Sequence, residues 1–262
     1  MDGTDGAGSG STTTDLSSFS HTGITSTDVT AGTTDSGVTR PDLYGVAKGY
    51  LDFTSGQAGR IVTLPTTVDL SSGDFTIECW VLFDTITDYS SFMRGGTDTS
   101  SGTWQLHVLN SNISLAGGNS NYSITDSKTV TTNTWYHVAL SYVSSTYTMT
   151  LSVDGNSTSL TNQTEFSNMQ SSYLGGSGTN IELGANRMGN VRHDGLLTDV
   201  RFTASAALYP DLGRITSIPT SALPNRETST GGDHVILFTV ATEDPYDGST
   251  TNDGSCAWTP SF

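Results

Sequence analysis

Charge is scarce in this chain of 262 residues: only 14% are Asp, Glu, Lys or Arg, against roughly a quarter in ordinary globular proteins. Lysine occurs only at Lys48 and Lys128, and the balance of 10 Lys+Arg against 26 Asp+Glu leaves a formal charge of −16. Nucleic-acid affinity comes largely from cationic side chains displacing condensed counterions, so this charge argues against nucleic acid as a partner, and against an anionic membrane surface on the same ground. Long apolar runs are missing too. The strongest, such as Val235 to Phe238, falls far short of the ~20 residues of a membrane span, and no membrane insertion is expected. Residues 1–40 contain no apolar stretch of the secretory type. Cysteine is nearly absent: Cys79 and Cys256 make neither a disulfide framework nor a metal knuckle, and buried free thiols are the expectation over a Cys79–Cys256 bridge. Helix formers such as Lys and Glu are sparse, which argues against a helical protein.

What is present is Thr, Ser, Gly and Asn, and short alternating segments. β-branched Thr suits a half-buried pleated surface. Phe75 to Phe83 alternates Phe75, Ile77, Cys79, Val81 and Phe83 with Thr76, Glu78, Trp80 and Leu82; its second face is also partly apolar, which predicts a central strand. Trp135 to Val143 places Tyr136, Val138, Leu140 and Tyr142 on one face, and Tyr147 to Val153 alternates Tyr147, Met149, Leu151 and Val153 with polar residues. Asp154-Gly155 then closes a tight hairpin, since both residues tolerate positive φ. Further strands are expected at 61–64, 104–109, 113–115, 181–183, 196–202 and 235–240. About ten short strands separated by turn clusters, with no amphipathic helix of any length, predict an all-β chain of two stacked sheets. Ala204 to Tyr209 is expected to form a single helical turn that Pro210 ends.

In order along the chain, Gly73-Asp74-Phe75-Thr76-Ile77-Glu78-Cys79-Trp80-Val81, Trp135-Tyr136-His137-Val138-Ala139-Leu140 and Leu151-Ser152-Val153-Asp154-Gly155 resemble successive strands of laminin G-like domains in the concanavalin A-like lectin and glucanase superfamily. Ile181-Glu182-Leu183-Gly184-Ala185-Asn186-Arg187, Gly195 to Phe202 and Ala206-Ala207-Leu208-Tyr209 continue the resemblance over roughly residues 44 to 240. It implies a two-sheet antiparallel jelly-roll β-sandwich. Residues 1–43, rich in Gly, Ser and Thr, read alone as a linker; yet Asp15 to Thr22 is similar to the opening of such domains in phage tail and virion proteins. Residues 1–43 are therefore expected to open the same domain, and 44–262 to form its body. Such domains usually begin with an apolar strand before an Asp-Gly turn, whereas Met1-Asp2-Gly3 starts at the turn. The resemblance thus implies an edge to be covered, by His234 to Val240 of the same chain or by a neighbouring subunit.

The glycosidases of the superfamily use carboxylates at alternate positions of one strand. The glutamates Glu78, Glu165, Glu182, Glu227 and Glu243 each lack such a companion, so the chain is expected not to be an enzyme, with Glu78 structural. His21, His107, His137, His193 and His234 show no pairing that would hold zinc. Binding remains. The superfamily often holds calcium at the rim of the sandwich, and Asp88, Asp98, Asn190 and Asp194, in predicted loops with hard oxygen ligands, are the candidates. Tyr89, Trp104 and Tyr122 lie near loops and are the candidates for stacking on glycans, although Trp104 shares a face with Leu106 and Val108 and reads more readily as a core or rim residue. The expectation is an interaction module of a virion surface, associating with neighbouring subunits as a homo-oligomer and engaging host glycans. The alternatives are a secreted, extracellular lectin or adhesion domain and, last, a glucanase.

Overall fold

The computed structural model describes residues 25–27, 30–32, 48–53, 61–63, 70–96, 103–117, 122–174, 181–184, 193–209, 234–241 and 256–261. They form the strands β1 (Thr25–Thr27), β2 (Thr30–Gly32), β3 (Lys48–Asp52), β4 (Ile61–Thr63), β5 (Phe75–Phe83), β6 (Ser91–Gly95), β7 (Trp104–Leu109) and β8 (Asn112–Gly117). After these come β9 (Ser123–Thr129), β10 (Trp135–Val143), β11 (Thr148–Val153), β12 (Asn156–Thr161), the helix α1 (Gln163–Tyr173), β13 (Ile181–Leu183), β14 (Gly195–Ala204), β15 (His234–Ala241) and β16 (Cys256–Ser261). A seven-stranded sheet runs β1-β4-β13-β6-β7-β8-β9; a nine-stranded one runs β12-β11-β10-β5-β14-β15-β3-β2, with β16 paired to β15. Every pairing is antiparallel, and the architecture is the two-sheet β-sandwich expected from the sequence. Among the described residues no helix is long and apolar enough to cross a membrane.

Alternation in the sequence becomes layering in the structure. Phe75, Ile77, Cys79, Val81 and Phe83 of β5 face Trp104, Leu106, Val108, Ile113 and Leu115 of the other sheet in one core, the arrangement in which two inner faces interdigitate. Cys79 is a buried thiol within it, outside any disulfide. The Asp154-Gly155 turn, where φ is 46° and 82°, fixes the register of β11 and β12, with Val153 opposite Asn156 and Leu151 opposite Thr158; on its other side β11 pairs with β10, Val138 opposite Val153 and Leu140 opposite Leu151. β15 sits inside the nine-stranded sheet, between β14 and β3 and paired to β16.

The helix departs from the sequence expectation. Only Phe166, Met169 and Tyr173 give it an apolar stripe, too short to read against its Ser and Asn content. Asn162 caps it by accepting a hydrogen bond from the Glu165 amide, and packing supplies the rest. Phe166 meets Tyr122 and Tyr142 edge-on, at 5.1 and 6.2 Å between ring centroids. Gln170 Nε2 donates to the carbonyls of Leu70 (3.1 Å) and Gly73 (2.7 Å), and Trp104 Nε1 to that of Tyr173 (3.2 Å). α1 thus covers the end of the sandwich at which Gly95, Trp104 and Gly117 pair side by side. A Cβ at Gly117 would lie 2.0 Å from the Tyr122 ring, so that close approach requires glycine.

Two substitutions test this frame. Gly155→Val places a β-branched residue at φ 82° and is expected to cost about 1–3 kcal/mol, read as a lower urea midpoint; an unchanged midpoint contradicts the turn. Cys79→Ser puts a hydroxyl into the apolar layer and should cost roughly 1–3 kcal/mol, whereas an unchanged melt would mean that Cys79 faces elsewhere.

Candidate functional site

The nine-stranded sheet buries its outer face as well. Thr76, Glu78, Trp80 and Leu82 of β5 are at most 1% exposed, and the polar members of this set need partners. β14 supplies one through a bulge. Thr198 lies opposite Trp80, but the register shifts before Arg201, which lies opposite Glu78. The extra residue turns Val200 into the core and aims Arg201 outward, the usual effect of a bulge.

Glu78 then collects four donors. Its Oε1 accepts from Arg201 Nε (2.7 Å) and Nη2. Its Oε2 accepts from His137 Nε2 and from the Tyr209 hydroxyl, both at 3.1 Å. A carboxylate offers about four lone-pair sites, and all are taken. Burial alone would raise the Glu78 pKa; the Arg201 charge and the His137 contact more than reverse this and hold it at about 2. The segment after β14 is pinned over this face. Thr76 Oγ1 donates to the Ala206 carbonyl (3.0 Å) and accepts from the Leu208 amide (2.8 Å), while the Tyr209 amide donates to Ser141 Oγ (3.2 Å). The helical turn expected at Ala204–Tyr209 is therefore absent: Ala204 ends β14, and residues 206–209 form a strap held by side chains of the sheet rather than by local hydrogen bonds.

The outer-facing residues of β7 on the other sheet are also buried, Gln105 at 4% and His107 at 1% exposed. Gln105 and His107 point away from the core, opposite to Trp104, Leu106 and Val108. On the ring of His107 lies that of Tyr89, stacked at 5.7 Å and 17°. Tyr89 is 54% exposed, the one large apolar side chain so placed among the described residues. It belongs to the loop 84–90 between β5 and β6, at the end of the sandwich opposite α1. The loop is clamped to the β7–β8 hairpin: the Tyr89 amide donates to the Val108 carbonyl (2.7 Å), the Val108 amide to that of Ser90 (3.0 Å), and the Asn110 amide to Asp88 Oδ1 (2.7 Å). These contacts hold Tyr89 at φ 68° and the Asn110-Ser111 turn at φ 51° and 59°.

The sequence candidates divide accordingly. Tyr89 is the exposed one of the three proposed aromatics. Trp104 and Tyr122 are 0% and 5% exposed and packed under α1; as stacking platforms they are corrected to core residues, because each ring fills space that α1 closes. Asp88 and Asp194 lie at the loop end of the sandwich, where Asp194 Oδ2 accepts from Thr85 Oγ1 (2.7 Å). Asp98 and Asn190 fall outside the described residues. Among the described residues no group of three or more His, Cys, Asp or Glu is placed to hold a metal ion, so these residues do not by themselves assemble the six to eight oxygens that calcium takes. His107 and Arg201 had no distinctive signal in the sequence beyond their place in an alternating run.

Residues 55–209 match a family model described as the concanavalin A-like lectin/glucanases superfamily. The chain belongs to this superfamily. No curated protein matches the chain. Among solved structures, a putative carbohydrate binding protein from Bacteroides ovatus shares 18% identity at a TM-score of 0.48, covering 76% of this chain and 55% of that one. The enzymatically active domain of bacteriophage CBA120 tailspike protein 2 shares 14% at 0.48, covering 76% and 29%. Domain 4 of an extracellular arabinanase from Geobacillus stearothermophilus, in complex with arabinotriose, shares 19% at 0.47, covering 72% and 86%. The chain thus spans about half of the first of these proteins and under a third of the second.

Within this superfamily member, the Glu78 carboxyl is an internal anion. Its pKa of about 2 lies below the ordinary 4.5, so the folded state favours the ionised form. The stability it lends is complete above pH 4.5 and is lost as pH falls from 4.5 towards 2. Glu78→Gln should remove that part of the acid slope and cost about 3–5 kcal/mol at neutral pH, since it leaves Arg201 buried without its counter-charge. A variant as stable as the parent at pH 7 contradicts the assignment.

Proposed function

We propose that this protein is a non-catalytic interaction module that binds glycans on a virion or another extracellular surface, with Tyr89 as the stacking platform. The observation that carries this reading is the ring of Tyr89, stacked on His107 and 54% exposed. A tyrosine ring offers a flat apolar surface to the C–H face of a sugar at low entropic cost, because few torsions need fixing. The clamps to β7 and β8 fix its backbone in advance, which reduces the ordering cost further. Around it Asp88, Asn110 and Ser111 bring carboxylate, amide and hydroxyl groups suited to sugar hydroxyls, the mixture of an apolar surface and a few polar groups that small-molecule sites use.

The non-catalytic part rests on Glu78. A general acid in glycoside hydrolysis needs a raised pKa and an approach to the glycosidic oxygen; Glu78 has a lowered pKa and no vacant lone pair. Association with copies of this chain or with a larger particle, and calcium at the loop end through Asp88 and Asp194, belong to the same proposal.

A glycan array followed by calorimetry on the best ligand, in calcium and in chelator, tests the reading. Tyr89→Ala should weaken binding at least tenfold, about 1.4 kcal/mol, with an unchanged melting temperature because the ring is exposed. Undiminished binding by this variant, or no binding to any glycan by the parent, overturns the platform. Binding that chelator abolishes would support the calcium role, and binding indifferent to chelator would remove it.

A further inference from the structure

Beyond the Ser91–His107 pair of β6 and β7, two backbone bonds carry the pairing into the loop 84–90. The Tyr89 amide donates to the Val108 carbonyl (2.7 Å) and the Val108 amide to the Ser90 carbonyl (3.0 Å). There the loop turns away: the Ser90 amide takes the Thr87 carbonyl (2.9 Å), and Tyr89 lies at φ 68°. On the facing side Asn110 and Ser111 lie at φ 51° and 59°. Three non-glycine residues in the left-handed region thus meet across one contact. Such residues are strained, persist only where their surroundings over-determine them, and cluster where ligands are held. Glycine would adopt φ 68° without strain, so the ring, not the backbone, accounts for a tyrosine at this position.

Packing and hydrogen bonds determine both turns. At the base of the loop the His193 ring packs against Phe53, Phe83 and Phe92, at 5.6, 5.3 and 6.2 Å between ring centroids. Phe83 ends β5 and Phe92 is the second residue of β6, so this cage wedges both ends of the loop. The Asp84 amide donates to the Asp194 carbonyl (2.9 Å) and Thr85 Oγ1 to Asp194 Oδ2 (2.7 Å). The facing turn is held from behind by the Val130 amide, which donates to the Ser111 carbonyl (2.8 Å). The loop tip and that turn are joined by the bond from the Asn110 amide to Asp88 Oδ1 (2.7 Å).

We propose that Asp88 is a positioning residue for Tyr89: its side chain supplies the acceptor that the turning backbone does not offer to the Asn110 amide, and so locks the two strained turns together with the Tyr89 ring over His107. The role lies in acceptor geometry and not in charge. A carboxylate accepts a stronger hydrogen bond than a neutral oxygen does, yet an asparagine side-chain oxygen occupies the same place and accepts the same N–H. What the lock serves rests on the Tyr89 reading above; the lock itself does not.

NMR on the full chain, labelled with nitrogen-15 and at tyrosine, reads the lock without a ligand. The signals are the Tyr89 ring resonance, which stacking on an imidazole displaces, and amide exchange at Val108 and Asn110. Asp88→Ala is expected to move the ring resonance to that of a solvated tyrosine and to speed exchange at both amides about tenfold. The amides of β10 and β11 serve as the unaffected reference. Asp88→Asn, which keeps the acceptor, should restore both signals. An unmoved ring resonance with unchanged exchange in Asp88→Ala overturns the role. So does an Asp88→Asn variant as loosened as Asp88→Ala, which would assign the effect to the charge. A parent that binds no glycan overturns the Tyr89 reading alone, since the ring and amide signals still decide the lock.

Discussion

The outer face of the nine-stranded sheet depends on one buried ion pair. Glu78 and Arg201 lie on neighbouring strands with side chains 0% and 2% exposed, where desolvation costs more than a simple Coulomb attraction returns unless the remaining lone pairs are also filled. His137 from β10 and Tyr209 from the strap fill them. The carboxylate thereby joins β5, β10, β14 and the strap in one network. It also specifies register: without the bulge before Arg201, a Val would stand opposite Glu78 and a guanidinium would enter the core. A one-residue slip of β14 is excluded for this reason, in a sheet whose many Thr and Ser residues define register only weakly.

The two ends of the sandwich have different physical characters. One is closed by α1, whose Phe166 and Met169 extend the core and whose carbonyl at Tyr173 satisfies the buried Trp104 indole. The other end holds a loop clamped by backbone hydrogen bonds and wedged by His193, with Tyr89 on its exposed side. In the proposed function this polarity separates stability from recognition, as binding loops over a rigid scaffold commonly do. Membership of the concanavalin A-like superfamily does not choose among the functions that such a superfold carries; the proposed function draws instead on the groups at the loop end and the state of Glu78.

Period-two alternation made β5, β10 and β11 legible because these strands bury one whole apolar face, and Asp154-Gly155 marked the hairpin because few dipeptides suit two positive φ angles. Strands with little apolar content were not legible. β9 has Ile124 as its one large apolar residue, and β12 has Leu160, so both are defined by pairing with β8 and β11 rather than by their own pattern. α1 is likewise a tertiary product. At the site, Tyr89 was recognisable as an aromatic beside a loop, yet the same signal chose Trp104 and Tyr122, which the helix buries. The His107 backing, the cage of His193 and the bulge that aims Arg201 all join residues far apart in sequence, and no local spacing encodes them.

The claim on which the account turns is that Glu78 is a permanent structural anion and not an acid available for chemistry. Its carboxyl carbon can be followed directly by NMR in protein labelled at glutamate, across pH 2 to 8. The account predicts a single titration with its midpoint at about 2 and a flat response from pH 4 upward. An inflection between pH 5 and 7, the range of a general acid in glycoside cleavage, would contradict it.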